Sequence, residues 1–266
     1  MAELEQIRAE LNSLKNPTKA EIVKKYLKSP YAFYGITVPQ LRKIAKKYKD
    51  LSFNQTYQLF EALWKSGNHE EMSLALYLLQ NHKKYFNLET WGFLFPRLEK
   101  AKTWDHVDEL SSHITGEIFL NNPNLQPEIK KMAESTNPWM RRIAIVSQYP
   151  LIKKGKIQLI FLLAEKAVYD EDIYVQKAAG WMIREAGKKN PVQAQEFIKI
   201  HKNMKPSAFS YATEKLLDLR KRFKEERKNN KKENIQIKET NSLSNEQKLA
   251  EKLSSEELNK IKYFKS

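Results

Sequence analysis

The sequence predicts an all-α fold, a solenoid of antiparallel helix pairs, and three observations carry that expectation. Glycine is scarce, 7 of 266 residues, and there is no Asn-Gly or Asp-Gly hairpin signal and little period-2 alternation, so strands have no support. Proline falls mostly between periodic segments, where it punctuates helices. Trp104, Trp139 and Trp181 stand 35 and 42 residues apart, the length of one helix-pair repeat.

Taken in order, Asn16-Pro17-Thr18 and Val38-Pro39 mark the first helix starts. In 104–119, Val107, Leu110, Ser111, Ile114 and Ile118 form a stripe at helical spacing, with Trp104, Asp108 and Thr115 beside it. Asn122-Pro123 and Asn137-Pro138 punctuate next. In 172–188, Val175, Ala178, Ala179, Met182 and Ala186 make a buried stripe, while Lys177, Trp181, Arg184 and Lys188 make a second, basic one with a single tryptophan in it. Asn190-Pro191 opens the helix that follows. About a dozen helices result, stacked so that one concave surface is expected. They occupy residues 1–221; residues 222–266 are polar and charged enough to predict a disordered tail, in which Leu249, Leu253, Leu258 and Ile261 offer a short terminal helix.

Composition narrows the partner. The chain carries a formal charge of +15, and residues 221–266 hold 13 Lys+Arg against 8 Asp+Glu, so +5 resides there and +10 in the rest. The folded part is therefore basic in its own right, which favours a polyanion. No helix joins a broad apolar face to a lysine-rich one, so nucleic acid is preferred over a membrane surface. No apolar stretch approaches the roughly 20 residues needed to span a bilayer, and no signal peptide is apparent, so a cytoplasmic location is expected. Cysteine is absent, which excludes disulfides and thiolate metal sites. The five histidines contain no His-Glu-x-x-His pair and read as surface or helix-end residues, so no metal site is expected. Walker, Gly-x-Gly-x-x-Gly and Gly-x-Ser-x-Gly motifs are likewise missing.

Three pairs remain: Trp104 with Asp108, Trp139 with Arg142, and Trp181 with Arg184. Residues three or four apart share a helix face, so each pair presents an aromatic surface and a charge together. Taken singly, each has a plain structural reading. Asp108 complements a helix dipole if Thr103 or Asp105 caps the helix, the tryptophans anchor a core, and the arginines are solvated. Recurrence is what argues for a shared site.

Four stretches resemble the DNA alkylation repair family, the AlkD-like alkylpurine DNA glycosylases built from HEAT-like repeats. They are Tyr-Gly-Ile-Thr-Val-Pro-Gln-Leu-Arg (34–42), Lys-Thr-Trp-Asp-His-Val-Asp (102–108), Asn-Pro-Trp-Met-Arg-Arg-Ile-Ala-Ile (137–145) and Val-Gln-Lys-Ala-Ala-Gly-Trp-Met-Ile-Arg-Glu (175–185), in order and at preserved spacing. The resemblance implies a HEAT-like solenoid with a concave basic groove, a monomer acting on double-stranded DNA that carries N3- or N7-alkylated purines, and no cofactor. It places Asp108 on the catalytic aspartate, Trp104 and Trp181 on the tryptophans lining the lesion, and Arg142 on an arginine that grips backbone phosphate. Arg42 and Arg184 fall on positions facing the DNA backbone, and Lys177 joins them from the basic stripe. Some relatives carry an aromatic residue where this chain has Thr103, and the tail exceeds the family core. Two alternatives stay open: a non-catalytic HEAT-like protein that binds distorted or branched DNA, and a protein–protein scaffold.

Overall fold

The computed structural model describes residues 2–218 together with Arg220, Lys221 and Glu225. The chain divides into two compact units, Met1–Lys215 and Leu216–Ser266. Apart from Glu225, the expected tail and its short helix lie outside the described residues.

The first unit is all-helical, as the sequence predicts. It contains α1 (Ala2–Ser13), α2 (Pro17–Leu27), α3 (Val38–Lys47), α4 (Phe53–Trp64), α5 (His69–Gln80), α6 (Leu88–Leu94), α7 (Trp104–Leu110), α8 (Gly116–Asn121), α9 (Gln126–Ala133), α10 (Pro138–Val146), α11 (Tyr149–Lys153), α12 (Gln158–Ala167), α13 (Ile173–Gly187), α14 (Pro191–Ile200) and α15 (Pro206–Ala212). Among the described residues there is no strand, only an isolated parallel bridge between Ala32 and Asn68.

Local sequence sets these boundaries. Asn16, Asn137 and Asn190 accept backbone N–H groups at the starts of α2, α10 and α14, each followed by proline at the first helical position. Thr37 and Ser52 form reciprocal capping boxes with Gln40 and Gln55. Each such cap contributes about 1 kcal/mol. Pro123 opens a 3-10 turn, Pro123–Leu125, one turn before α9.

One row of helices runs through the unit: α3, α5, α7, α10, α13 and α15, each packed on the next. A partner row backs it, with α4 on α5, α9 on α10, and α12 and α14 on α13. Val175, Ala178, Ala179, Met182 and Ala186 are all fully buried, so α13 turns its small apolar stripe into the stack as its periodicity predicts. Gly180 lies against α15 so closely that a Cβ there would sit 2.3 Å from the Ala208 carbonyl oxygen and 2.8 Å from the Tyr211 Cβ.

The stripe in 104–119 is buried too, but its helix is not uniform. Ser111–Thr115 forms a π turn in which the Gly116 N–H reaches the Ser111 carbonyl, five residues back. The wider turn brings Thr115, expected beside the stripe, into the core, where its hydroxyl lies 2.6 Å from the Ser147 Oγ.

A buried carboxylate organises the loop before α3. Glu70 is 3% exposed and accepts the backbone N–H groups of Tyr34 (3.0 Å), Gly35 (2.7 Å) and Ile36 (3.1 Å). Gly35 sits at φ +83°, and a Cβ on it would lie 2.1 Å from the Asn16 carbonyl oxygen, so the turn requires glycine.

Candidate active site

The site begins with how α7 is held. Its start is pinned from two sides. The Tyr31 hydroxyl donates to the Lys100 carbonyl and accepts the Lys102 N–H at 3.0 Å, fixing the segment that leads into Trp104. Asp105 meets His69 Nε2 at 2.7 Å. Behind it His106 Nε2 lies 2.9 Å from Ser73 Oγ and 3.1 Å from the His69 carbonyl. Burial works against ionisation of Asp105, but the His69 hydrogen bond and imidazole neighbours hold its carboxyl well below the ordinary range. Burial pushes His106 down to about 3, so its imidazole is neutral at pH 7. With the first turn fixed, Trp104 and Asp108 project one turn apart from the same helix.

They face a cavity of about 390 Å³ between α2, α7, α10, α13 and α15. Five aromatic residues wall it: Tyr26, Trp104, Tyr174, Trp181 and Tyr211. Tyr26 meets Trp104 edge-on, ring centroids 6.0 Å apart. The polar lining is Asp108, Arg142, Lys28 and Lys177. The sequence therefore brings Trp104, Asp108, Arg142, Lys177 and Trp181 to one space from three separate helices. Tyr26, Lys28, Tyr174 and Tyr211 were not anticipated. Tyr174 was detectable, because it lies three and seven residues before Lys177 and Trp181 on the same helical stripe.

Asp108 does not stand at a helix terminus complementing a dipole. Thr103 occupies the N-cap position without a side-chain cap bond, and Asp108 falls in the second turn. Its partner is Arg142, which grips it with a bidentate fork: Nε to Oδ1 at 2.9 Å and Nη2 to Oδ2 at 2.8 Å. The third guanidinium nitrogen donates to the Tyr174 carbonyl. Burial pushes the Asp108 carboxyl above its ordinary value, the guanidinium offsets part of that push, and Asp105 and Glu109 add to it.

The other cations nominated from the sequence are distributed unevenly. Arg42 pairs with Glu109 at 2.7 Å and lies over the Tyr77 ring, outside this cavity. Arg184 pairs with Glu185 at 3.3 Å and with Glu214. Lys177 lies 5.8 Å from the Tyr174 ring centre, on the cavity wall. Trp139 stacks at a tilt on Tyr174, 5.2 Å away, supporting the wall from behind.

A family model for "DNA alkylation repair enzyme" matches residues 7–216. The chain belongs to that family. Among solved structures it is similar to a predicted DNA alkylation repair enzyme from Enterococcus faecalis, with TM-score 0.66 and 25% identity over 75% of this chain and 95% of that one. AlkD2 from Streptococcus mutans shares the fold at TM-score 0.52 and 19% identity, covering 67% of this chain and 89% of its own. No curated protein sequence matches. The family match spans α7, α10 and α13, so every element carrying Trp104, Asp108, Arg142 and Trp181 lies within it.

The histidines of this family member depart from expectation. His69, His82 and His106 are buried, at 7%, 6% and 2% exposure, and each ring hydrogen-bonds to a side chain from a distant segment: Asp105, Thr56 and Ser73 respectively. His69, Asp105 and His106 bring candidate ligand atoms within 4.8 Å of one another. The two imidazoles are stacked, with centroids 4.2 Å apart and planes 19° apart. Lone pairs lie in the ring planes, so stacked rings cannot both aim at one ion about 2 Å away. The trio is suited to bracing α7.

Proposed function

We propose that the protein is a DNA glycosylase that hydrolyses the N-glycosidic bond of cationic N3- or N7-alkylated purines in duplex DNA. One observation carries the reading: a carboxylate, fixed in orientation by a buried guanidinium, opens onto a cavity between two tryptophans.

The chemistry suits these groups. Alkylation at N3 or N7 leaves the purine positively charged, so it departs without a general acid, and a single carboxylate suffices where glycoside hydrolysis commonly uses two. The C1′–N bond breaks with its electron pair passing to the purine, which becomes neutral. The positive charge that develops on the sugar is stabilised by the Asp108 carboxylate. Water then forms the new bond to C1′, and its proton passes to the carboxylate or to solvent. Both Asp108 oxygens already accept from Arg142, yet each keeps a second lone pair for the sugar or the water. Arg142 therefore acts on Asp108 as a positioning residue, holding it charged and in one rotamer. The indole faces of Trp104 and Trp181 hold the cationic nucleotide at about 0.5–2 kcal/mol each.

The test is release of 7-methylguanine from methylated duplex DNA by the wild type and by Asp108→Asn. Release by the wild type, with at least a hundredfold loss in the variant, is expected. Wild-type DNA binding without any release would leave the non-catalytic binding reading in its place.

A further inference from the structure

We propose that Lys28 is a dedicated contact for a backbone phosphate, held on the cavity wall by a left-handed turn that its side chain would otherwise disfavour. The inference rests on the cavity being a DNA site.

Three features single out this lysine. Its backbone lies at φ 51° and ψ 42°, and it is the one non-glycine residue with positive φ among the described residues. That conformation crowds the Cβ against the following carbonyl, so glycine or asparagine is the usual occupant at a helix end. The Lys28 N–H closes α2 by reaching the Lys24 and Lys25 carbonyls, but a glycine would make the same bonds. Capping therefore explains the left-handed turn and not the lysine.

The turn does determine where the side chain goes. Were α2 to continue, residue 28 would project about 200° around the helix from Tyr26, on the opposite face. With the left-handed turn, and with Leu27 buried between them, Tyr26 and Lys28 both line the cavity that holds Asp108. Strained non-glycine conformations of this kind are retained where the surroundings or the function demand them.

The charges around the cavity give the third feature. Arg142 and Arg184 are committed to Asp108, Glu185 and Glu214. Lys28 is exposed and has no carboxylate partner among the described residues, and it lines the cavity together with Lys177. A compact, strongly hydrated ammonium takes a phosphate oxygen as a point charge and does not need the planar register a guanidinium requires. Lys28 and Lys177 thus supply the cavity with its uncommitted positive charge, from two elements far apart in sequence, α2 and α13.

The test is Lys28→Gly beside Lys28→Arg in the full chain, with three readouts: thermal midpoint, affinity for unmodified duplex DNA across a salt series, and 7-methylguanine release. For Lys28→Gly the midpoint should hold or rise, since glycine relieves the backbone. Its affinity should fall about tenfold, and the slope of log K against log salt should become shallower by about 0.9. Lys28→Arg should restore both. An unchanged salt slope in Lys28→Gly would overturn the proposal. So would a loss of affinity that tracks a lowered midpoint, which would make the residue merely structural. Absence of release by the wild type would sink the glycosylase reading while leaving the salt series to decide on Lys28; a wild type that does not bind DNA would remove both.

Discussion

Arg142→Ala probes the link between fold and chemistry most directly. The pair it breaks is well shielded, with side-chain exposures of 6% for Arg142 and 19% for Asp108. Removing one partner of a buried pair usually costs about 3–5 kcal/mol, because the surviving charge has neither water nor counterion. Asp108 can escape by taking a proton, which sets a ceiling. From its ordinary value of 3.8 to pH 7 the escape costs at most about 4 kcal/mol at 1.36 kcal/mol per unit. The Tyr174 carbonyl loses its donor as well, for about 1 kcal/mol more. A destabilisation of up to about 4–5 kcal/mol at pH 7 is expected, reduced to the extent that burial already raises the wild-type Asp108 carboxyl; this is a large fraction of a typical domain's 5–15 kcal/mol.

The sign with pH is specific. Without Arg142 the folded-state pKa of Asp108 lies far above its unfolded value, so the penalty grows as pH rises through the unfolded value and shrinks as pH falls. At pH 5 the ceiling on the charge contribution is about 1.6 kcal/mol. Urea denaturation of wild type and variant at the two pH values reads this directly. The double variant Asp108→Leu, Arg142→Met removes both charges and should recover most of the stability without recovering base release. A cost below about 1 kcal/mol at pH 7, or the same cost at pH 5 and pH 7, would refute the view of Arg142 as the counterion that keeps Asp108 ionised.

Two further outcomes follow from geometry elsewhere. Gly180→Ala gains up to about 1 kcal/mol of helix propensity, but its Cβ would meet Ala208 O at 2.3 Å, Tyr211 Cβ at 2.8 Å and Ala212 N at 3.0 Å. Overpacking of about 1–3 kcal/mol or more should dominate and lower the thermal midpoint, and an unchanged or raised midpoint would count against the tight α13–α15 contact. His106, pushed down to about 3 by burial, stays neutral in the folded protein while the unfolded chain protonates near 6.5. Its contribution is therefore intact above about pH 6.5 and lost below, by about 2 kcal/mol at pH 5. In His106→Gln that fall between pH 7 and pH 5 should shrink by this amount; an identical fall in both proteins would show that His106 titrates freely.

Much of the scaffold was readable because helical burial has a period. Val175, Ala178, Ala179, Met182 and Ala186 needed only their spacing, and the asparagine–proline pairs needed only cap chemistry. The four matching stretches placed Trp104, Asp108, Arg142 and Trp181 on helices that the fold does bring together. What sequence could not supply were contacts between distant segments. Arg142 and Asp108 are 34 residues apart, and no local pattern marks them as an ion pair. Tyr26 and Tyr211 join the cavity from α2 and α15 only once the row of helices has stacked. The buried histidines were misread for the same reason, since a histidine's setting is decided by residues such as Ser73 and Asp105, 33 and 36 positions away. Lys28 carried no signal at all, because backbone handedness at a lysine leaves no trace in composition.

The π turn at Ser111–Thr115 bears on how this helix can change over time. Its five-residue ring holds one residue more than an α-helical turn, closed by the Gly116 N–H on the Ser111 carbonyl. Deleting a residue there would leave an ordinary helix, and adding one elsewhere in the rod could be absorbed by a similar widening. Everything N-terminal to the turn is fixed independently, through His69, Asp105 and the Tyr31 clasp. A length change at the turn would shift the register of the half that packs on α11, while Trp104 and Asp108 are held by contacts made before the turn.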